Sequence, residues 1–117
     1  MKAVISESQY NRLIDSFITF LIEPHEEITD SGYSDSTFWI KNGEIISEKI
    51  EEEDIFLFSD SIWYEISEQF ELDYDETQSV IKTWLEQHYG LGELTPYEIE
   101  EEDVEIWNNI IISNDNL

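Results

Sequence analysis

The residues of this sequence with most chemistry to offer are its carboxylates, 29 Asp and Glu against five Lys and Arg, for a formal net charge of −24. Carboxylates act as general acids and bases, as ligands for hard cations, or as a field that attracts cationic partners. Pairs suited to acid–base catalysis arise here from abundance alone, so they select no reaction. Metal ligation demands more order. The stretch DYDET, from Asp73, alternates acids like the start of a calcium loop but lacks the glycine at its sixth position and the closing glutamate; a helix cap accounts for Asp75. Two histidines occur: His25 beside Pro24, and His88 at the end of a helical pattern, where a cation meets the dipole favourably. Both read as structural. No phosphate-cradling glycine loop, nucleophile elbow or paired-histidine zinc motif is present, and the absence of cysteine removes thiolates and disulfides. The expectation is a protein that is not an enzyme and uses no metal or cofactor.

What remains is the charge itself. KIEEEDIFLF, from Lys49, is echoed by EIEEEDVEIW, from Glu98. Two carboxylates about 6 Å apart repel by roughly 0.7 kcal/mol in water, and Lys2, Arg12, Lys41, Lys49 and Lys82 are too few to neutralise such runs. The acids must face outward. A compact chain of this length has a radius of gyration of about 13 Å and a diameter of about 35 Å, a span over which duplex DNA presents roughly 20 charges. A net charge of that size suits the basic groove of a DNA-binding protein. The residues expected to bind such a partner are Glu48, Glu51, Glu52, Glu53 and Asp54 from the first run, and Glu98, Glu100, Glu101, Glu102, Asp103 and Glu105 from the second. Tyr33 and Tyr74, in acid-flanked segments, are added as aromatic anchors. An ordinary solvated acidic face is the plain alternative, and a halophilic origin would also enrich acids over lysine.

The elements that must carry these residues read as α+β: an N-terminal helix, a small antiparallel β-meander with an Asn-Gly hairpin, then about three helices. Ser6 and Gln9 suit a capping box with Ile5 and Tyr10 as its staple, and Tyr10, Leu13, Ile14, Phe17, Ile18 and Leu21 recur at helical spacing up to Pro24. Residues 24–36 are polar and rich in turn formers, hence a loop. Asn42-Gly43 suits a two-residue turn, pairing Lys41 with Glu44 and Ile40 with Ile45, and EEED then turns the chain into a third strand, IFLF. Ser59 caps a helix facing inward through Ile62, Trp63, Ile66 and Phe70; Asp75 and Gln78 box the next, which stops at Gly90. Thr95, Pro96 and Glu98 supply N-cap, first-turn proline and box partner for a last helix, although IWNNIII is strand-like enough to leave a terminal strand open. The four tryptophans recur at intervals of roughly twenty residues and read as one anchor per element in a common core.

A length of 117 residues is one domain, 1–117, and 40% hydrophobic residues suffice to fold it. The opening MKAVISESQY lacks the apolar middle of a signal peptide, and FITFLI is too short to span a membrane, so a cytoplasmic protein is expected. VISESQYNRLI and LDYDETQSVIKTWLEQHYGL resemble segments of small acidic proteins of tailed phages. The resemblance implies a phage setting, and with it the host cytoplasm. In charge and size the chain is also similar to DNA-mimic inhibitors of restriction and CRISPR nucleases. The functional expectation is therefore a mimic that occludes the cleft of a basic nucleic-acid-binding protein without itself binding nucleic acid or membrane. An immunity or adaptor protein with one basic partner, or a minor phage structural protein, are the alternatives, and a homodimer that extends the charged surface stays open.

Overall fold

The structure, a computed structural model, describes residues 6–30 and 36–114. Helix α1 (Glu7–Ile22) is followed by strands β1 (Glu26–Asp30), β2 (Ser36–Lys41) and β3 (Glu44–Ile50), a 3₁₀ turn (Glu51–Glu53) and β4 (Ile55–Phe58). Helices α2 (Asp60–Phe70) and α3 (Tyr74–Tyr89), strand β5 (Thr95–Glu98) and helix α4 (Glu101–Asn114) complete the fold. The five strands form one sheet in chain order; β1 to β4 are an antiparallel meander and β5 returns parallel to β4 after the two-helix crossover. The class is α+β.

Local chemistry explains much of this. Ser6 and Gln9 make the reciprocal capping box of α1, and Ser59 accepts the Ile62 N–H at the start of α2. Asn42 (φ 55°) and Gly43 (φ 79°) turn β2 into β3 with Ile40 opposite Ile45 and Lys41 opposite Glu44. Gly90, at φ 67°, ends α3 in the left-handed conformation. The α3 cap sits two residues earlier than expected. Asp73 and Glu76 form the box, which frees Gln78 to donate from Nε2 to the Pro96 carbonyl.

The sheet is buried on both sides, giving three layers. On one face α1, α2 and α3 pack over Trp39, Ile46, Phe56 and Phe58; on the other α4 lays Trp107 and Ile110 against Phe38 and Ile45. A bulge in β3, where Ser47 faces Trp39 but Ile45 faces Ile40, inserts Ile46 as an extra residue; Ile45 packs in the smaller cluster and Ile46 in the larger. All four tryptophans are buried, but not in a common core: Trp39, Trp63 and Trp84 share the larger cluster and Trp107 belongs to the smaller. Three indole N–H groups have acceptors: Glu27 for Trp39, Thr19 for Trp84 and Glu48 for Trp107.

Two strands replace expected irregular or helical chain. Residues 24–36, read as a loop, include β1, whose Glu27, Ile28 and Thr29 lie opposite Trp39, Phe38 and Thr37. Thr95, Pro96 and Glu98, read as a helix start, form β5, and the last helix begins only at Glu101 and runs on through the strand-like IWNNIII. The tertiary partner of β5 outweighs its capping signature. Thr95 at its start and Ile99 just past its end bond toward β4, with Thr95 N–H to Asp54 O at 2.8 Å and Ile99 N–H to Phe58 O at 2.8 Å. Its outer edge is closed by α3 side chains: Lys82 donates to Leu94 O, Gln78 to Pro96 O, and the Glu98 N–H donates to the Tyr74 hydroxyl. The molecule is a short rod, 52 × 26 × 24 Å, with a radius of gyration of 15.1 Å, longer than the sphere-like shape the length suggests.

Candidate functional site: an acidic groove between β5 and α4

Each acidic run has a local structural logic. In the first, Glu51–Glu53 form a single 3₁₀ turn and Asp54 takes the left-handed conformation (φ 55°), its N–H donating to Glu51 O at 3.2 Å. Aspartate tolerates that conformation well, and a turn leaves its side chains in water. The second run opens α4: Glu101, Glu102 and Asp103 occupy its first turn, where carboxylates favour the positive end of the helix dipole. Glu51, Glu52, Glu53, Asp54, Glu100, Glu101, Glu102 and Glu105 are exposed, and Asp103 and Glu98 half-buried. Glu51 lies 3.2 Å from Lys49.

Glu48 has a different position from the one the sequence suggests. It lies on the sheet face beneath α4, half-buried, accepting the Trp107 Nε1–H at 2.9 Å on one carboxylate oxygen and the Ser36 hydroxyl at 2.8 Å on the other. Its oxygens anchor helix to sheet. Tyr33 falls outside the described residues.

Part of each run, Glu48 and Glu53 from the first and Glu98, Glu100 and Asp103 from the second, lines one groove of about 490 Å³ on the α4 side of the sheet. Ile50, Ile55 and Leu57 form its bottom; Asp103 and Ile106 of α4 flank it; Glu48, Glu53, Glu98 and Glu100 complete its acidic lining. Tyr74 and Tyr97 also line it. Tyr74, 43% exposed, is held by the Glu98 N–H and by its ring against Trp63, centroids 4.8 Å apart. Tyr97 (39% exposed) shares a sheet face with its neighbour Leu57, while Ile106 (36%) projects from α4. The lining has no Lys, Arg or His among its residues. Burial first, and the charge of Asp60 at the start of α2 second, push the Glu98 carboxyl above the usual range. The groove is thus apolar underneath, aromatic at one side and anionic around.

Of the residues named from the sequence, Glu48, Glu53, Tyr74, Glu98, Glu100 and Asp103 line this groove and Glu51, Glu52, Asp54, Glu101, Glu102 and Glu105 do not; Tyr97, Ile50, Ile55, Leu57 and Ile106 line it without having been singled out. Tyr97 and Leu57 become neighbours only through the β4–β5 pairing. A larger cleft, about 540 Å³, lies between the end of α1, the hairpin, the start of α2 and α4. Its lining includes Lys41, Glu44 and Asp60 but no carboxylate of the two acidic runs, and Phe20, also in its lining, is 74% exposed.

The remaining titratable candidates are held by packing. His88 Nε2 lies 2.7 Å from Asp15 Oδ1 with its ring stacked on Trp84, and His25 stacks on Trp39 at 4.1 Å between Glu23 and Glu27. DYDET caps α3 through Asp73, and among the described residues no group of three His, Asp or Glu is placed to hold a metal ion. No helix among them is long and apolar enough to cross a membrane. Comparison with protein-family models, with curated proteins and with solved structures gives no match.

Proposed function

We propose that this chain is a non-catalytic acidic protein that occupies the nucleic-acid-binding cleft of a basic protein and presents carboxylates where phosphates would lie. One observation carries the reading. Twenty-four net negative charges on a rod 52 Å long amount to one per roughly 2.2 Å of axis, close to the one per about 1.7 Å of duplex DNA. The rod's width, 24–26 Å, gives a cleft built for nucleic acid something of comparable girth to close on. Binding would be driven by charge complementarity and would exclude the nucleic acid sterically. In the phage setting that the sequence resemblance implies, the partner is a host defence nuclease of the restriction or CRISPR type.

The apolar bottom of the groove favours a second reading, an adaptor or immunity protein that grips one basic partner away from its nucleic-acid site. Competition separates the two. The purified protein is titrated into cleavage assays of restriction and CRISPR nucleases, with and without excess non-cognate duplex. A mimic inhibits cleavage and loses its hold as duplex is added; inhibition indifferent to duplex rejects mimicry in favour of the adaptor. Replacing Glu51, Glu52 and Glu53 together by Gln is expected to leave the fold intact, since all three are exposed, and to weaken inhibition tenfold or more. Undiminished inhibition in that variant would remove the first acidic run from the binding surface.

A further inference from the structure

A surface that only imitated phosphates would have no use for an apolar bottom, because phosphate contacts are made to polar oxygens alone. The groove between β5 and α4 has one. Ile50, Ile55 and Leu57 share its lining with Tyr74, Tyr97 and Ile106, which are among the few large apolar side chains left exposed on the described surface. Around them stand Glu53, Glu98, Glu100 and Asp103 with no cation of the chain among the lining residues. The volume, about 490 Å³, lies within the range of about 300–1,000 Å³ typical of pockets that engulf a ligand.

The two cationic side chains a basic protein can offer differ in what they want from such a place. The lysine ammonium is compact and strongly hydrated, and loses water on approaching apolar walls. The arginine guanidinium is planar and weakly hydrated, stacks on aromatic faces, and forks onto carboxylates with two parallel hydrogen bonds. Tyr74 is moreover fixed in place by Trp63 and by the Glu98 N–H, so little order has to be created when a guanidinium settles on it.

From this complementarity we infer that the groove takes an arginine-bearing segment of the basic partner, its guanidinium groups against Tyr74 and Tyr97 and paired with the carboxylates of the rim. The inference rests on the proposed binding of a basic protein and specifies what that protein inserts. It also names a feature by which the chain discriminates among cationic surfaces: arginine clusters are held, lysine clusters are held less well.

The test titrates the isotopically labelled full chain with tetra-arginine amide and, separately, tetra-lysine amide in low salt, following its amide resonances. The expected result is that tetra-arginine shifts Leu57, Tyr97 and Ile106 foremost and binds about threefold or more tightly than tetra-lysine. Tyr74→Leu with Tyr97→Leu, which leaves every charge in place, is expected to bring the two peptides to equal affinity. Because Tyr74 also packs on Trp63, Tyr97→Leu alone serves as the second variant, with part of the same effect. Equal affinities in the parent, with shifts spread over the whole acidic surface, overturn the groove while leaving nucleic-acid mimicry standing. Failure of both peptides to bind removes both. Groove resonances that move with protein concentration alone identify a second copy of this chain as the occupant and overturn the assignment to arginine.

Discussion

A carboxylate beside apolar side chains is less well solvated than one in water, and Glu98 is where this has an energetic sign. Its carboxyl titrates above the ordinary range in the folded chain, through burial and then through Asp60. A group whose value is raised by folding favours the fold below its unfolded value, and that contribution is lost as pH rises through the folded value. At neutral pH Glu98 is therefore a local cost. Glu98→Gln is expected to stabilise the protein by about 0.5 kcal/mol at pH 7, a modest gain because the side chain is partly exposed, and to be neutral near pH 4. Urea midpoints at the two values check this; no gain at pH 7 would mean that water solvates the charge fully. Glu48 has the opposite character. It accepts from Ser36 and from Trp107, so Glu48→Ala leaves two donors without acceptors under α4 and is expected to cost about 2–3 kcal/mol. Glu48→Gln keeps an oxygen for the indole and can donate to the Ser36 oxygen, and is expected to cost about 1 kcal/mol or less. The same pair of unfolding curves ranks them. Equal costs would show that shape, rather than the two acceptors, holds Trp107.

Helices and turns whose signals are local were legible in the sequence; strands that depend on distant partners were not. The α1 capping box, the Ser59 cap, the Gly90 stop and the hairpin register need only a few consecutive residues, and each formed as read. The hairpin also isolates one backbone effect: Gly43 sits at φ 79° and a Cβ there would meet nothing within 4 Å, so Gly43→Ala carries a conformational penalty with no steric one. A loss of about 1 kcal/mol is expected, read from thermal unfolding, with β2 and β3 still in register by amide exchange. β1 and β5 are harder. EEITD reads as polar loop because nothing local says that Glu27 will take the Trp39 indole, and Thr95-Pro96 carries a genuine helix-start pattern that the β4 backbone overrides. The site inherits this limit. Tyr74 and the glutamate runs stand out by composition, whereas Tyr97 and Leu57 became one surface only when β5 joined the sheet beside β4.

For the molecule as a whole, the charge acts on stability and on binding with opposite signs, and salt separates them. In the free protein 29 acidic groups repel one another across a body only 24–26 Å thick, so the Debye length decides how many of them interact. At 10 mM salt that length is about 30 Å and the whole rod feels itself; at 0.1 M it is about 10 Å and only neighbours do. Screening should therefore stabilise the fold by about 1 kcal/mol over that interval, some 4 °C in Tm, and the gain should level off above a few tenths molar. A protein whose acidity served a halophilic life would instead keep gaining into molar salt. Binding to a basic cleft moves the other way, because the complementary fields that steer and hold the partners are the ones being screened. If the chain binds a basic nucleic-acid-binding protein as proposed, that affinity is expected to fall tenfold or more between 50 and 200 mM salt while Tm rises. Measuring both on one preparation excludes unfolding as the cause of lost binding. Affinity that held steady across this range would place the binding energy in apolar contacts, and the rod's duplex-like charge density would then have no part in recognition.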